Sequence, residues 1–89
     1  MILFLRENCV FCAEAEKVAE AIPTILLVRV VDTPEGVKML AGKDRTMMDY
    51  SIHVAGFPAL MDEKDWWIGK TPVMEKLESL KFIESLEKP

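Results

Sequence analysis

Residues 2–15, Ile2-Leu3-Phe4-Leu5-Arg6-Glu7-Asn8-Cys9-Val10-Phe11-Cys12-Ala13-Glu14-Ala15, carry two structural signals in immediate succession. Ile2 to Leu5 is a short continuous apolar run, the pattern of a central strand buried on both faces. From Phe11 onward, Phe11, Ala15, Val18, Ala19 and Ile22 fall on one side of a 3.6-residue repeat, so a helix follows and ends before Pro23. Cys9 and Cys12 sit where the strand passes into the helix. That placement says more than their spacing does. A helix N-terminus presents unpaired backbone N–H groups and a partial positive charge, and both favour a thiolate over a thiol.

Working outward, Ile25 to Val31 is rich in β-branched residues and leucine and reads as a second strand buried on both faces. Asp32-Thr33-Pro34-Glu35 has the form of a helix start, with a capping side chain, proline in the first turn and an acid near the positive end. Val37, Leu40 and Ala41 would give that helix its inner face, with Gly42 as its C-terminal cap. Lys43 to Val54 is polar with Met47, Met48, Tyr50 and Ile52 interspersed, and reads either as a helical turn or as a loop. After Gly56-Phe57-Pro58, Ala59-Leu60-Met61 is a third strand, and Asp62 to Asp65 turns it into a hairpin with Trp66-Trp67-Ile68. Trp66 and Trp67 alternate across that strand, so one faces inward and the other lies on an exposed edge. Thr71-Pro72 opens a final helix lined by Val73, Leu77, Leu80 and Ile83. The expected architecture is a single α/β domain over residues 1–89, in the order βαβαββα. It has a four-stranded mixed sheet flanked by helices on its faces.

Composition narrows the function classes. A chain of 89 residues with 51% hydrophobic residues supports one core. A net charge of −4 without a basic stripe argues against a general nucleic-acid binder, since nothing would displace counterions from phosphates. No run of about 18 apolar residues is present to span a membrane. Met1 to Phe4 meets Arg6 and Glu7 too soon to be a signal-peptide core. A cytoplasmic protein is therefore expected. In that setting a disulfide between cysteines three apart closes too small a loop to be a useful structural staple. The pair reads instead as chemistry or as metal ligation. A tetrahedral zinc site needs four ligands, and the chain offers two cysteines and one histidine, His53, so carboxylates or a second chain would have to complete it. In the redox reading Cys9, at the mouth of the helix, attacks a substrate disulfide, and Cys12, one turn inside, resolves the mixed disulfide. Such sites lower a cysteine pKa from about 8.5 into the range of about 3.5–7.5. Inert cysteines are the third possibility.

A strand, then C-x-x-C opening a helix, then an apolar residue and proline ahead of a later strand together resemble thioredoxin and glutaredoxin, over essentially the whole chain. The resemblance implies a thioredoxin fold and thiol–disulfide oxidoreductase activity on protein disulfides. It implies no bound cofactor, with a thioredoxin-reductase-type enzyme or glutathione as reductant. It implies that Phe57-Pro58 is a cis peptide packed against the cysteine pair, with Phe57 offering backbone groups to an extended substrate. Arg6, three residues before Cys9, stands where many glutaredoxins place a lysine that helps hold glutathione. Val10 and Phe11, between the cysteines, would border the substrate, although the helical spacing of Phe11 favours the core. Val31 to Glu35 and Tyr50-Ser51-Ile52 look more like thioredoxin. Gly69-Lys70-Thr71-Pro72 keeps only the first glycine of the glutaredoxin turn that binds glutathione, and no acid follows, which speaks against glutathione binding. Two other readings stand beside this one. The first is a carrier holding an iron–sulfur cluster between two chains, with glutathione completing the thiolate set. The second is a redox-inactive interaction module of the same fold, against which the retention of both cysteines speaks. Lys17 and His53 read as solvent-facing, Met47 and Met48 as packing residues, and the expected state is a monomer.

Overall fold

β1 (Ile2–Arg6) hydrogen-bonds to a strand on each side and is buried through Leu3, Phe4 and Leu5. The computed structural model describes residues 1–42, 44, 46–48, 54 and 56–87. After β1 the order is α1 (Val10–Ala19), β2 (Leu26–Thr33), β3 (Gly36–Ala41), β4 (Thr46–Met48), β5 (Ala59–Met61), β6 (Trp66–Ile68) and α2 (Lys70–Glu87). The six strands form one sheet in the order β4-β3-β2-β1-β5-β6. Only β1 and β2 run parallel; every other neighbouring pair is antiparallel, so the sheet is mixed.

Register decides which side chains share a face. Leu3 lies opposite Leu27 and Leu60, whereas Phe4 lies opposite Val28 and Ala59. Leu3, Leu5 and Leu60 pack with Cys12, Ala15 and Ala19 of α1 and with Val73 and Leu77 of α2 in one cluster. Phe4, Val28, Val30 and Ala59 form a second cluster on the opposite face. Both helices therefore cover the same face of the sheet, instead of being divided between its two faces. Because β6 is antiparallel to β5 and β5 to β1, β6 runs with β1. The two helices consequently set out from the same end of the sheet, and that end carries the cysteines.

The largest departure from the expected architecture is the second helix, which does not form. Residues 32–41 are instead the end of β2, a tight turn and β3, and with β4 they raise the sheet from four strands to six. The reason lies in Thr33-Pro34-Glu35-Gly36. A β-turn and a helix start both accept proline at the second position, because its φ is fixed near −65°. What separates them is the fourth residue. Gly36 adopts φ 127, a region L side chains rarely enter, and it pairs with Thr33, whose hydroxyl donates to the Gly36 carbonyl at 2.6 Å. Val37, Leu40 and Ala41 thus lie along a strand paired with Asp32, Arg29 and Val28.

Other expectations resolve locally. β4 occupies part of the ambiguous Lys43–Val54 stretch, with Met47 opposite Leu40. Lys43, Arg45, residues 49–53 and Ala55 lie outside the described residues, and with them Tyr50-Ser51-Ile52 and His53. The two tryptophans divide as alternation requires. Trp67 packs on the helix-side cluster, and partly exposed Trp66 stacks on Phe4 with ring centroids 5.7 Å apart. Ile83 was expected on the inner face of the last helix but is exposed, because α2 has by then passed beyond the sheet and the shorter α1.

The hairpin reading has a direct consequence. Gly36→Ala should lower unfolding stability in urea by about 1–3 kcal/mol, the cost of holding a side chain at a glycine-only φ. A gain of about 1 kcal/mol, as for a glycine replaced inside a helix, would contradict it.

Candidate functional site

The passage from β1 to α1 takes three residues, and its geometry sets the cysteines. Asn8 reverses the chain at φ 60, a left-handed conformation that asparagine tolerates better than most residues. Cys9 follows in an extended conformation, φ −112 and ψ 112, as the N-cap of α1. Its carbonyl accepts from the Ala13 N–H at 3.2 Å, and its Sγ accepts from the Cys12 N–H at 3.2 Å. A sulfur thus takes the capping role that serine or aspartate oxygen ordinarily fills, accepting from the third helical residue. Cys9 and Cys12 are joined in a disulfide with Cα atoms 5.1 Å apart. The first turn of α1 holds no acidic residue to offset the positive end of the helix. Cys9 is half-buried, while Cys12 is 3% exposed beneath it.

Three elements converge on this pair. Arg6, at the end of β1, lies over the Phe57 ring, 5.6 Å from its centroid, and is ion-paired to Asp32 at the end of β2. The Phe57-Pro58 peptide is cis, and Pro58 is buried directly ahead of β5. Its carbonyl accepts from the Gly69 N–H at 2.9 Å, which ties this loop to the start of α2. A Cβ on Gly56 would stand 3.0 Å from Cγ2 of Ile68, so a larger residue here would require that side chain to shift. Phe57 and Cys9 pack against the cluster that contains Cys12.

Val10 and Phe11, between the cysteines, face outward, with 73% and 46% of their surface exposed. Phe11 does not fill the core as its helical spacing favoured. Residues Cys12, Ala15 and Ala19 take the inner face, and Phe11 falls on the flank. There it is covered by Lys70, whose Nζ sits 4.6 Å from the ring centroid and 3.6 Å from the Glu14 carboxylate. On the other side of the disulfide a cleft of about 310 Å³ opens, lined by Arg6, Glu7, Asn8, both cysteines and the ion-paired Glu16 and Arg29. The structure therefore gathers Arg6, Cys9, Val10, Phe11, Cys12, Phe57 and Pro58 at one end of the sheet. Lys17 is exposed farther along α1, and His53 lies outside the described residues.

Lys70, Glu16, Arg29 and Asp32 are not among the site residues expected from the sequence, where Asp32 reads only as a helix cap and Lys70 only as part of a turn. Glu16 alone left a signal, standing four residues after Cys12 on the same side of the helix. Arg29 comes beside it through the parallel pairing of β2 with β1, opposite Leu5, and Lys70 through the common starting end of the helices. Among the described residues no group of three or more His, Cys, Asp or Glu side chains is placed to hold a metal ion. No helix among them is long and apolar enough to cross a membrane. Comparison of the chain with protein-family models, with curated proteins and with solved structures finds no match in any of the three.

The left-handed turn at Asn8 can be tested apart from any chemistry. Asn8→Val should lower the unfolding free energy by about 1–2 kcal/mol, whereas Asn8→Gly should leave it unchanged or raise it slightly. Equal thermal denaturation curves for the two variants would refute this account of how Cys9 is placed.

Proposed function

We propose that this chain is a thiol–disulfide oxidoreductase of the thioredoxin-like type, acting on disulfides of protein substrates. The observation that carries the reading is the position of Cys9 Sγ at the N-cap of α1, accepting the Cys12 N–H. When the disulfide is reduced, that same N–H becomes a charge-assisted donor to the Cys9 thiolate, and the unopposed helix end adds its partial charge. The asymmetry in burial assigns the roles. Half-buried Cys9 meets the substrate, and Cys12 stays out of solvent until a mixed disulfide forms above it.

In the forward direction the Cys9 thiolate attacks one sulfur of the substrate disulfide. A Cys9–substrate disulfide forms, and the first substrate sulfur leaves as a thiolate, which takes up a proton. Cys12 then loses its proton and attacks Cys9 Sγ. The Cys9–Cys12 disulfide closes and the second substrate thiol is released. One substrate disulfide has become two thiols, and the enzyme dithiol has become the disulfide present in this structure. An external dithiol reductase or a thiol such as glutathione completes the cycle, with no bound cofactor between them. Val10, Phe11 and Phe57 form an apolar rim for the substrate chain around Cys9, with Arg6 at its edge. Support for the thioredoxin-like assignment comes from the order β1-α1-β2 followed by β5-β6-α2, with Pro58 directly ahead of β5. The β3–β4 hairpin stands where that family carries a helix.

The test is alkylation of the reduced protein as a function of pH, read residue by residue in a mass spectrometer. Cys9 should react first, with a midpoint clearly below about 8.5, while Cys12 is protected in the folded state. Equal reactivity of both thiols with a midpoint near 8.5 would remove the basis for the proposal.

A further inference from the structure

The cleft beside the disulfide is one end of a longer depression. Glu16 and Arg29, which line it, also line a second opening of about 810 Å³, so the two follow one another along the flank of α1 that faces β2. No residue of α2 lines either part. The depression exists because the helices cover only part of the sheet. In-register pairing places Leu27, Arg29 and Leu40 on the helix-side face, and among the described residues no helix lies over β3 or β4. Its length follows from the helix. Cys9 caps one end of α1 and Glu20 the other, and at a rise of about 1.5 Å per residue they stand about 16 Å apart along the axis.

The chemistry changes along this path. At the disulfide end stand Cys9, Cys12, Arg6 and Glu7. Midway, Glu16 and Arg29 are ion-paired and partly exposed, so they cancel in charge while keeping donor and acceptor atoms at the surface. At the far end Ala19, Ile22 and Leu27 give an apolar floor, and exposed Glu20 stands at its rim. Among the described residues no cation is paired with Glu20, and Lys17, one turn before it on α1, does not line the groove. Glu20 also sits where the helix carries its negative partial charge. An apolar floor below an unpaired carboxylate fits a long cationic side chain, whose methylene stem lies on the floor while its charged head stays at the rim.

We propose that the substrate of this site is an extended polypeptide segment lying along the flank of α1, with a lysine or arginine about five residues from its reacting cysteine seated against Glu20. The spacing is the number of residues that covers about 16 Å at about 3.3 Å each. This inference rests on the thiol chemistry proposed above and adds to it the form and charge of the substrate. The occupant is the substrate chain because the groove begins at the two sulfurs. A polypeptide whose cysteine is joined to Cys9 holds the rest of its chain within reach of the groove for as long as the mixed disulfide lasts. A small thiol fills only the part at the disulfide, about 310 Å³, and leaves the apolar floor and Glu20 without a partner. Extended segments of this kind are found at termini, in exposed loops and in unfolded chains.

Disulfide-linked homodimers of peptides of about twelve residues decide it, with reduced wild-type protein and the rate of peptide disulfide loss as the readout. Each turnover gives two peptide thiols and the Cys9–Cys12 disulfide. The peptides carry lysine or glutamate five residues before the cysteine or five after it, and are otherwise polar and uncharged. At one of these two positions, which sets the direction of the chain, lysine should react about five- to tenfold faster than glutamate. Glu20→Gln should remove most of that preference, and Glu20→Lys should invert it. Inversion needs a folded, reactive protein, so it separates a lost contact from a lost fold. Equal rates for lysine and glutamate peptides at both positions would overturn the proposal. So would a lysine preference that persists in Glu20→Lys, because the cation would then be read elsewhere, as at Glu7. Cystine, too short to reach Glu20, distinguishes the two levels of failure. If it is reduced while no peptide preference is seen, the groove assignment falls and the thiol chemistry stands. If neither cystine nor any peptide is reduced, the thiol chemistry falls and this inference with it.

Discussion

The burial of β1 constrains everything else in this domain. Leu3, Phe4 and Leu5 are 0–1% exposed, although they point alternately to opposite faces of the sheet. The strand must therefore be covered on both sides and bonded on both edges. β2 supplies the parallel neighbour, and the helix needed to return the chain for parallel pairing is α1. That crossover turns a strand end into a helix start within three residues, with Asn8 in a left-handed conformation and Cys9 as the cap. The placement of the cysteines is thus a by-product of how the central strand is buried. It would be lost with any change of register between β1 and β2, since a one-residue slip exchanges the two faces.

From this constraint the character of the site follows. The helix end that Cys9 caps is the only part of α1 exposing its backbone donors, and sulfur occupies the accepting position. Ion pairs join Arg6 with Asp32, Arg29 with Glu16 and Lys70 with Glu14 around the site, and Glu7 lines the cleft beside them. The first turn of α1 itself carries no carboxylate to oppose the positive end of the helix. Pairing of this kind at partly exposed positions contributes little to stability. Its consequence here is orientation: Lys70 lies over Phe11 on the flank of α1 and Arg6 over Phe57, while Cys9 stays half-buried.

Those parts of the structure specified by local patterns were legible in the sequence. The apolar run at Ile2–Leu5, the helix after it, the hairpin of Ala59–Met61 with Trp66–Ile68 and the proline-initiated last helix are all present. The strand-to-helix position of Cys9 and Cys12, and the cis peptide at Pro58, also lie where they were expected. The misread segment was Asp32–Ala41. Asp-Thr-Pro-Glu reads as the first turn of a helix, but its Thr-Pro-Glu equally fills the first three positions of a β-turn, and the φ of Gly36 separates the two. The spacing of Phe11 favours the core but does not decide it, because helical periodicity fixes a face only to within the width of one residue. The side of α1 that is buried was decided by small residues, Ala15 and Ala19, which let the helix approach β1 closely. Glu16, Arg29 and Lys70 could not have been located without the register of β1 with β2 and the common starting end of the two helices.

The most direct test of the central claim, that Cys9 is an attacking thiol and Cys12 its resolving partner, is a trapping experiment. Reduced Cys12→Ser and Cys9→Ser variants are each mixed with a disulfide-bonded protein and quenched with acid, and the adducts are counted by mass under non-reducing conditions. The account predicts that Cys12→Ser accumulates a mixed disulfide through Cys9, because the resolving thiol is missing. Cys9→Ser should yield almost none, since Cys12 lies beneath the surface. Equal trapping by the two variants, or trapping only through Cys12, would contradict the roles assigned to the two thiols.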